Sequence, residues 1–403
     1  MFDLSRIPDG FFENPYPFYK DLLEGPSVLP QNDGSVIVSK HALLNLIYKD
    51  VNTFVSDKKL AFGPKFGVGS ALFEHHTTSL VFNDPPLHTR VRKIMTAALN
   101  QRAIQGMKEG LEATVIALLD ELELKSTKTQ EVDLIDDYAS KIPIQIIGNL
   151  LAIPMEEREP LRDWSLAILG ALEPNLTTSQ LEKGNAGVCE FKNYLKGLVS
   201  RRKKAPKDLE TDVLTRLIQA QDNQELSETE LLQNCIFILN AGHETTTNLI
   251  GSALHMLWSN PKQKVLLVAH PNLIDTAVEE VLRTQSPNQF GNRQTSKQIE
   301  LDGVLLDKDT LIHLCIGAAN RDPDVFPKPD EFDIQRTNAK RHLGFSAGPH
   351  TCVGLTLARL EAKNALESFL HRFPNYTLFE GAEISPRIRF RGFLNLPATL
   401  DPT

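Results

Sequence analysis

From Leu231 to Trp258 the chain reads as one long helix, apolar on most of its circumference and broken in character only at its centre. Ser227-Glu-Thr-Glu230 before it has the form of a capping box, and Pro261 marks its end. A helix of this kind belongs inside the molecule, so the rest of the fold must be built around it. Its centre, Ala241-Gly-His-Glu-Thr-Thr246, places polar groups where burial makes them costly unless they are paired or used. Thr245 can bond back to a carbonyl one turn earlier and loosen the helix into a groove. Glu244 beside it supplies an ionisable group for proton delivery. A zinc-binding His-Glu-x-x-His reading fails, because Thr247 stands where the second histidine is required. A polar patch at a helix–helix contact remains the plain alternative.

A second segment, Phe345-Ser-Ala-Gly-Pro-His-Thr-Cys352-Val-Gly354, leads directly into an amphipathic helix over about 355–373. It sets one cysteine at a helix mouth, where the partial positive charge of the N-terminus favours a thiolate. Gly348 and Gly354 permit tight turns and close approach of a flat ligand. The segment resembles the haem-binding loop of the cytochrome P-450 family, Phe-x-x-Gly-x-(Arg/His)-x-Cys-x-Gly, matching at Phe345, Gly348, His350, Cys352 and Gly354. Many members of that family carry glycine where this chain has Ser346. The resemblance implies haem b (iron protoporphyrin IX), with Cys352 as the axial thiolate ligand of its iron.

The centre of the long helix matches the same family's (Ala/Gly)-Gly-x-(Asp/Glu)-Thr-Thr motif, which implies that Thr245 and Glu244 serve proton delivery during oxygen activation. Glu280-Val-Leu-Arg283 resembles the family's Glu-x-x-Arg helix, implying a structural ion-pair network completed by an arginine, here Arg336 in Phe332-Asp-Ile-Gln-Arg336. His88 and Arg92 fall at i and i+4 on one helix entered through Asp84-Pro-Pro. By resemblance they bind the haem propionates, with Arg293 and His350. Arg90 and Lys93 read as ordinary exposed residues. Ala318-Ala-Asn-Arg-Asp-Pro323 is a further family match without an evident chemical role. Ala241, Thr245, Phe290 and Phe393 are the expected substrate-pocket walls. The aperiodic stretch 61–78 is expected as a loop that covers the pocket.

Strand signals cluster at the two ends: a hairpin over 27–38 turning at Asn32-Asp33-Gly34, a second over 299–306 turning at Asp302-Gly303, then 310–314 and short strands within 376–400. Between about His41 and His270 the pattern is mostly helical. The expected fold is therefore mainly α with a small β region, a cytochrome P-450 fold. One domain spans 1–403, with the haem between the long helix and the cysteine-loop helix. Arg201-Arg-Lys-Lys-Ala-Pro-Lys207 reads as an exposed loop between helices.

With 51 acidic against 43 basic residues, a net charge of −8 argues against nucleic acid as a partner. No apolar run is long enough for a transmembrane helix, and no signal peptide is visible. Four scattered cysteines suggest no disulfide framework, so the expected location is cytoplasmic. The reading is a bacterial-type monooxygenase that inserts one atom of O2 into a small hydrophobic substrate. Electrons are expected from a separate ferredoxin or flavodoxin with its reductase, docking near Arg341, Arg359 and Lys363. A peroxide-driven peroxygenase and a non-catalytic haem protein that binds a gas are the alternatives.

Overall fold

The computed structural model describes residues 2–174, 176–209 and 212–401. The long helix runs unbroken over Glu228–Ser259. The capping box closes its start: the Glu230 amide donates to Ser227 Oγ at 3.1 Å, and the Ser227 amide donates to Glu230 Oε2 at 2.7 Å.

Two apolar cores meet along this helix. Its N-terminal half gives Leu231, Leu232, Cys235, Ile236 and Leu239 to a core shared with Val188, Phe191, Leu195 and Leu198 of the helix Thr178–Lys204. Its C-terminal half gives Leu249, Ile250, Ala253, Leu254 and Leu257 to a core shared with the helices Gln101–Thr129 and Leu355–Arg372, the latter contributing Ala362, Leu366 and Phe369. Each of the valine, leucine, isoleucine and phenylalanine side chains, fully buried, contributes roughly 1.5–3 kcal/mol. Residues 240–248 lie between the two cores, which is why polar residues can occupy the middle of an otherwise apolar helix.

A five-stranded sheet flanks the helical body in the order Val28–Pro30, Val36–Val38, Leu311–Cys315, Phe290–Thr295, Phe54–Val55. The N-terminal hairpin pairs Val28 with Val38, and Val36 then runs parallel to Ile312. Ile299–Leu301 and Val304–Leu306 form the second hairpin, and the C-terminal stretch gives four short strands.

Three segments depart from the sequence reading. The stretch expected as a loop forms two helices, Lys59–Phe66 and Ala71–Thr78, joined through Gly67 and Gly69 at φ of 82° and 86°. Phe62 and Phe66, one turn apart, bury against His76 and Phe82, and Ser70 caps the second helix. Helices this short are held by such aromatic contacts, which leave little periodicity to read. Arg201 to Lys204 form the last turn of the helix Thr178–Lys204, where cations oppose the negative end of the helix dipole. Arg202 is buried there on Asp212. Phe290–Thr295, too polar to announce a strand, is held as one between Leu311–Cys315 and Phe54–Val55.

Candidate functional site

The cysteine loop is shaped by its backbone. Gly348 has φ of +68°, and a Cβ there would stand 2.6 Å from the Tyr48 carbonyl oxygen, so only glycine fits. Ser346 also takes a positive φ, 62°. The Cys352 amide donates to the Phe345 carbonyl at 3.0 Å, and Gly354 opens the helix Leu355–Arg372. The expected lowering of the Cys352 pKa is not what the surroundings produce. Burial pushes the thiol up, against the opposing Gly354 amide, Arg92 and Arg359. Yet the cysteine is exposed. The sulfur is thus desolvated by protein on most sides while the residue keeps free surface for a ligand.

Across the long helix, Ala241 and Thr245 share one face at i and i+4. Ala241 is exposed and Thr245 partly so, while His243 and Glu244 are buried. Thr245 Oγ1 donates to the Ala241 carbonyl at 2.7 Å, as expected, but the helix is not opened into a groove. Gly242 packs on Ile147, where a Cβ would meet Cδ1 at 3.0 Å. Glu244 accepts two hydrogen bonds from Arg387 Nη1, at 2.6 and 2.7 Å. Burial raises its pKa despite the opposing guanidinium, and Glu173 adds to the rise.

A group of basic side chains gathers beside the cysteine loop. His88 and Arg92 project from the helix Leu87–Ala98, Arg293 from its strand and His350 from the loop. The His88 and His350 rings lie 3.9 Å apart, and His350 Nε2 is 3.8 Å from Asp84. Arg293 stacks over Tyr48 at 5.1 Å. His88 Nε2, His350 Nε2 and Arg293 Nε are buried without hydrogen-bond partners. Burial, then His350 and Arg92, depress His88 to about 4; burial also depresses His350. The sequence reading missed Lys58, which is buried near Arg293 and Asp84 and lowered to about 7, chiefly by burial. Lys59 beside it is exposed, and nothing in the sequence marks which of the two lysines turns inward. A buried guanidinium and imidazoles with unpartnered nitrogens are costly alone and suit a ligand bearing carboxylates, whose charge would favour the protonated rings. With an accessible thiol close to Arg92, these residues fit an iron porphyrin with two propionates.

The Glu280 network is assembled as expected. Arg283 donates to both carboxylate oxygens of Glu280, at 2.7 and 2.8 Å, and Arg336 Nε donates to Oε1 at 3.0 Å. Asn320 explains its own conspicuous segment: its carbonyl accepts from Arg283, its Oδ1 accepts from the Leu343 amide and its Nδ2 donates to Ser286. It thus ties the Glu280 network to the chain that enters the cysteine loop.

Other expectations are corrected. Phe290 is 2% exposed and packs edge-on against Tyr19 at 6.2 Å, in the N-terminal aromatic core rather than on a pocket wall. Phe393 lies 4.8 Å from His255, eleven residues and so about 16 Å along the helix from Glu244. Arg359 and Lys363 are not free cations: Arg359 Nη2 bonds Glu279 at 3.0 Å, and Lys363 bonds Asp275 at 3.1 Å. Arg341 is exposed, as is Lys340 beside it. Arg387 was also missed, although Arg387, Arg389 and Arg391 alternate in sequence as side chains on one face of an extended segment would.

A family model described as Cytochrome P450 matches residues 26–266 and 267–400. A protein described as Biotin biosynthesis cytochrome P450, from Bacillus subtilis (strain 168), is 33% identical, with 98% of this chain and 99% of the relative covered. A 6-deoxyerythronolide B hydroxylase from Saccharopolyspora erythraea is 31% identical, covering 99% of this chain and all of the relative. Among solved structures, P450BioI in complex with acyl carrier protein ligated to hexadec-9Z-enoic acid superposes with a TM-score of 0.90. It is 31% identical and covers 98% of this chain and 100% of that one.

Proposed function

The chain belongs to the cytochrome P450 family, and on that premise we propose that it inserts one oxygen atom from O2 into a small hydrophobic organic substrate. The observation that carries this reading is the accessible Cys352 beside a cluster of buried basic side chains with unpartnered nitrogens. Cys352 would hold the iron, and His88, Arg92, Arg293, His350 and Lys58 would hold the propionates. Haem, when bound, supplies the activation of dioxygen.

The protein residues do the rest. Ala241 and Thr245 present a small, mostly apolar surface of the long helix to the substrate. Thr245 Oγ1 spends its proton on the Ala241 carbonyl at rest and presents it to the cavity by a χ1 rotation. Glu244, held on Arg387, passes protons toward Thr245 as it exchanges partners. The Glu280–Arg283–Arg336 network keeps the cysteine-loop approach rigid. In this reading residues 1–403 act as one domain.

Electrons arrive from a separate ferredoxin or flavodoxin and its reductase, docking near Arg341. Among the described residues no helix is long and apolar enough to cross a membrane. The cysteines are all free, which agrees with a reducing cytoplasm. The test is turnover with a surrogate ferredoxin, its reductase and NAD(P)H under labelled dioxygen. Substrate-dependent NAD(P)H consumption and one labelled oxygen in the product are expected. Equal product from peroxide without a reductase would make it a peroxygenase; no product by either route would contradict an enzymatic role.

A further inference from the structure

The segment from Arg387 to Gly392 lies along the long helix. Arg387 meets Glu244, and a Cβ on Gly392 would strike Asn248 Oδ1 at 1.9 Å. Between these two contacts, Arg389 turns its guanidinium toward Asn292. With the Asn292 amide oriented so that its oxygen accepts, Nη1 and Nη2 lie at 3.0 and 3.1 Å from it. Arg389 Nε is buried without a partner. Among the described residues no carboxylate lies within salt-bridge distance of Arg389.

Lys65, on the helix Lys59–Phe66, is close enough to Arg389 for each charge to repel the other. Its ammonium donates only to two carbonyls, Leu172 at 3.2 Å and Glu173 at 2.6 Å, leaving a third N–H unused. The nearby carboxylate, Glu173, is engaged by the Ile388 and Arg389 backbone amides at 2.9 and 3.4 Å. Two enclosed cations therefore share one carboxylate that is already occupied. Arg389 borders the propionate cluster. It shares Asn292 with Arg293, which donates to the Asn292 carbonyl at 2.8 Å, and it lies close enough to Lys58 to repel it. The charged groups that act on His88 and His350 are Arg92, Arg293 and Asp84, with His350 also acting on His88, and do not include Arg389.

Resting on the monooxygenase reading above, we propose that Arg389 and Lys65 anchor a carboxylate of the substrate. The substrate class is then an apolar chain ending in a free acid, its body laid across Ala241 toward Thr245. A guanidinium with an unused Nε–H and an ammonium with an unused N–H give a carboxylate two charge-assisted bonds in a site from which water is largely excluded.

The test uses the loaded holoenzyme, straight-chain fatty acids and their methyl esters, with binding followed by the iron spin state and by calorimetry. The wild type should bind each acid at least about 10-fold more tightly than its ester. Arg389→Gln and Lys65→Gln should each weaken acid binding roughly 10- to 100-fold and leave ester binding within about 2-fold, the scale of a charge-assisted hydrogen bond. Arg389→Lys should restore part of the preference. Equal binding of acid and ester by the wild type, or equal loss of both in the variants, overturns the anchor. Loss of haem from Arg389→Gln also overturns it, by assigning Arg389 to the propionates. The monooxygenase reading is scored separately by the reduced carbon monoxide spectrum, and calorimetry still decides the anchor if that spectrum fails.

Discussion

Arg387 Nη1 stands 2.6 Å from Oε1 and 2.7 Å from Oε2 of Glu244, joining the C-terminal segment to the middle of the long helix. The carboxylate is thus held on a cation in a site where burial, with Glu173 adding, pushes its pKa up. Removing the cation should push it further, since the charged form loses its partner. In Arg387→Ala, the pH limb of kcat that reports Glu244 should move to higher pH. Turnover at neutral pH should fall roughly 10- to 100-fold, toward the loss expected for a proton-transfer group. Arg387→Lys should shift the limb less. An unchanged pH profile in Arg387→Ala would separate Glu244 from proton delivery.

Thr245→Ala should leave haem content and substrate binding intact, because its hydroxyl bonds only the Ala241 carbonyl of its own helix. Reducing equivalents should then leave as peroxide instead of appearing in product. The check is the ratio of product to NAD(P)H consumed, with peroxide measured alongside. An unchanged ratio would remove Thr245 from the reaction.

Acid should destabilise the fold through its buried histidines above the ordinary carboxylate range, with the buried carboxyl Glu361, raised to about 8, opposing the trend. Burial depresses His75 to about 4 and both His243 and His313 to about 3, from 6.5. Between 6.5 and those values the unfolded chain binds more protons than the folded one, so stability is full above the window and falls as pH drops through it. Thermal melts should show Tm declining from about pH 6.5 downward, with a shallower slope in His75→Gln. A flat Tm across that window would contradict the burial of these rings.

The pairing of Arg359 with Glu279 and of Lys363 with Asp275 shifts the expected redox-partner contact to Lys340 and Arg341. Both are exposed, and among the described residues neither side chain has an ion-pair partner. Charge reversal at both should slow iron reduction by subsaturating ferredoxin roughly 10-fold and flatten its dependence on salt, which screens charges over about 8 Å at physiological ionic strength. Arg359→Glu should chiefly lower Tm, by setting a second carboxylate against Glu279. Stopped-flow reduction measures the first effect. An unchanged rate with both charges reversed would place the docking surface elsewhere.

What was legible in the sequence was what is contiguous. The helix caps, the hairpin turns, the cysteine at the mouth of its helix and the back-bonded Thr245 depend on residues within one turn of each other. Arg336 was reached through the resemblance, which calls for an arginine between the Glu280 helix and the cysteine loop, a stretch that also holds Arg321 and Arg341. Relationships across long separations were not legible. Nothing near Glu244 announces a partner 143 residues away, and Lys58 is distinguished from Lys59 only by which one faces inward. Phe290, expected on a pocket wall, packs instead on Tyr19, a contact between distant parts of the chain that no local pattern shows. The two short helices over 59–78 escaped notice because tertiary aromatic contacts, not periodicity, hold them.

The central claim is that Cys352 binds the haem iron as a thiolate, and the reduced carbon monoxide complex tests it directly. The wild-type protein should show the red-shifted Soret band of thiolate ligation, and Cys352→Ala, with its fold verified by circular dichroism, should lose that band entirely. Survival of the band in a folded Cys352→Ala protein would contradict the account at its root.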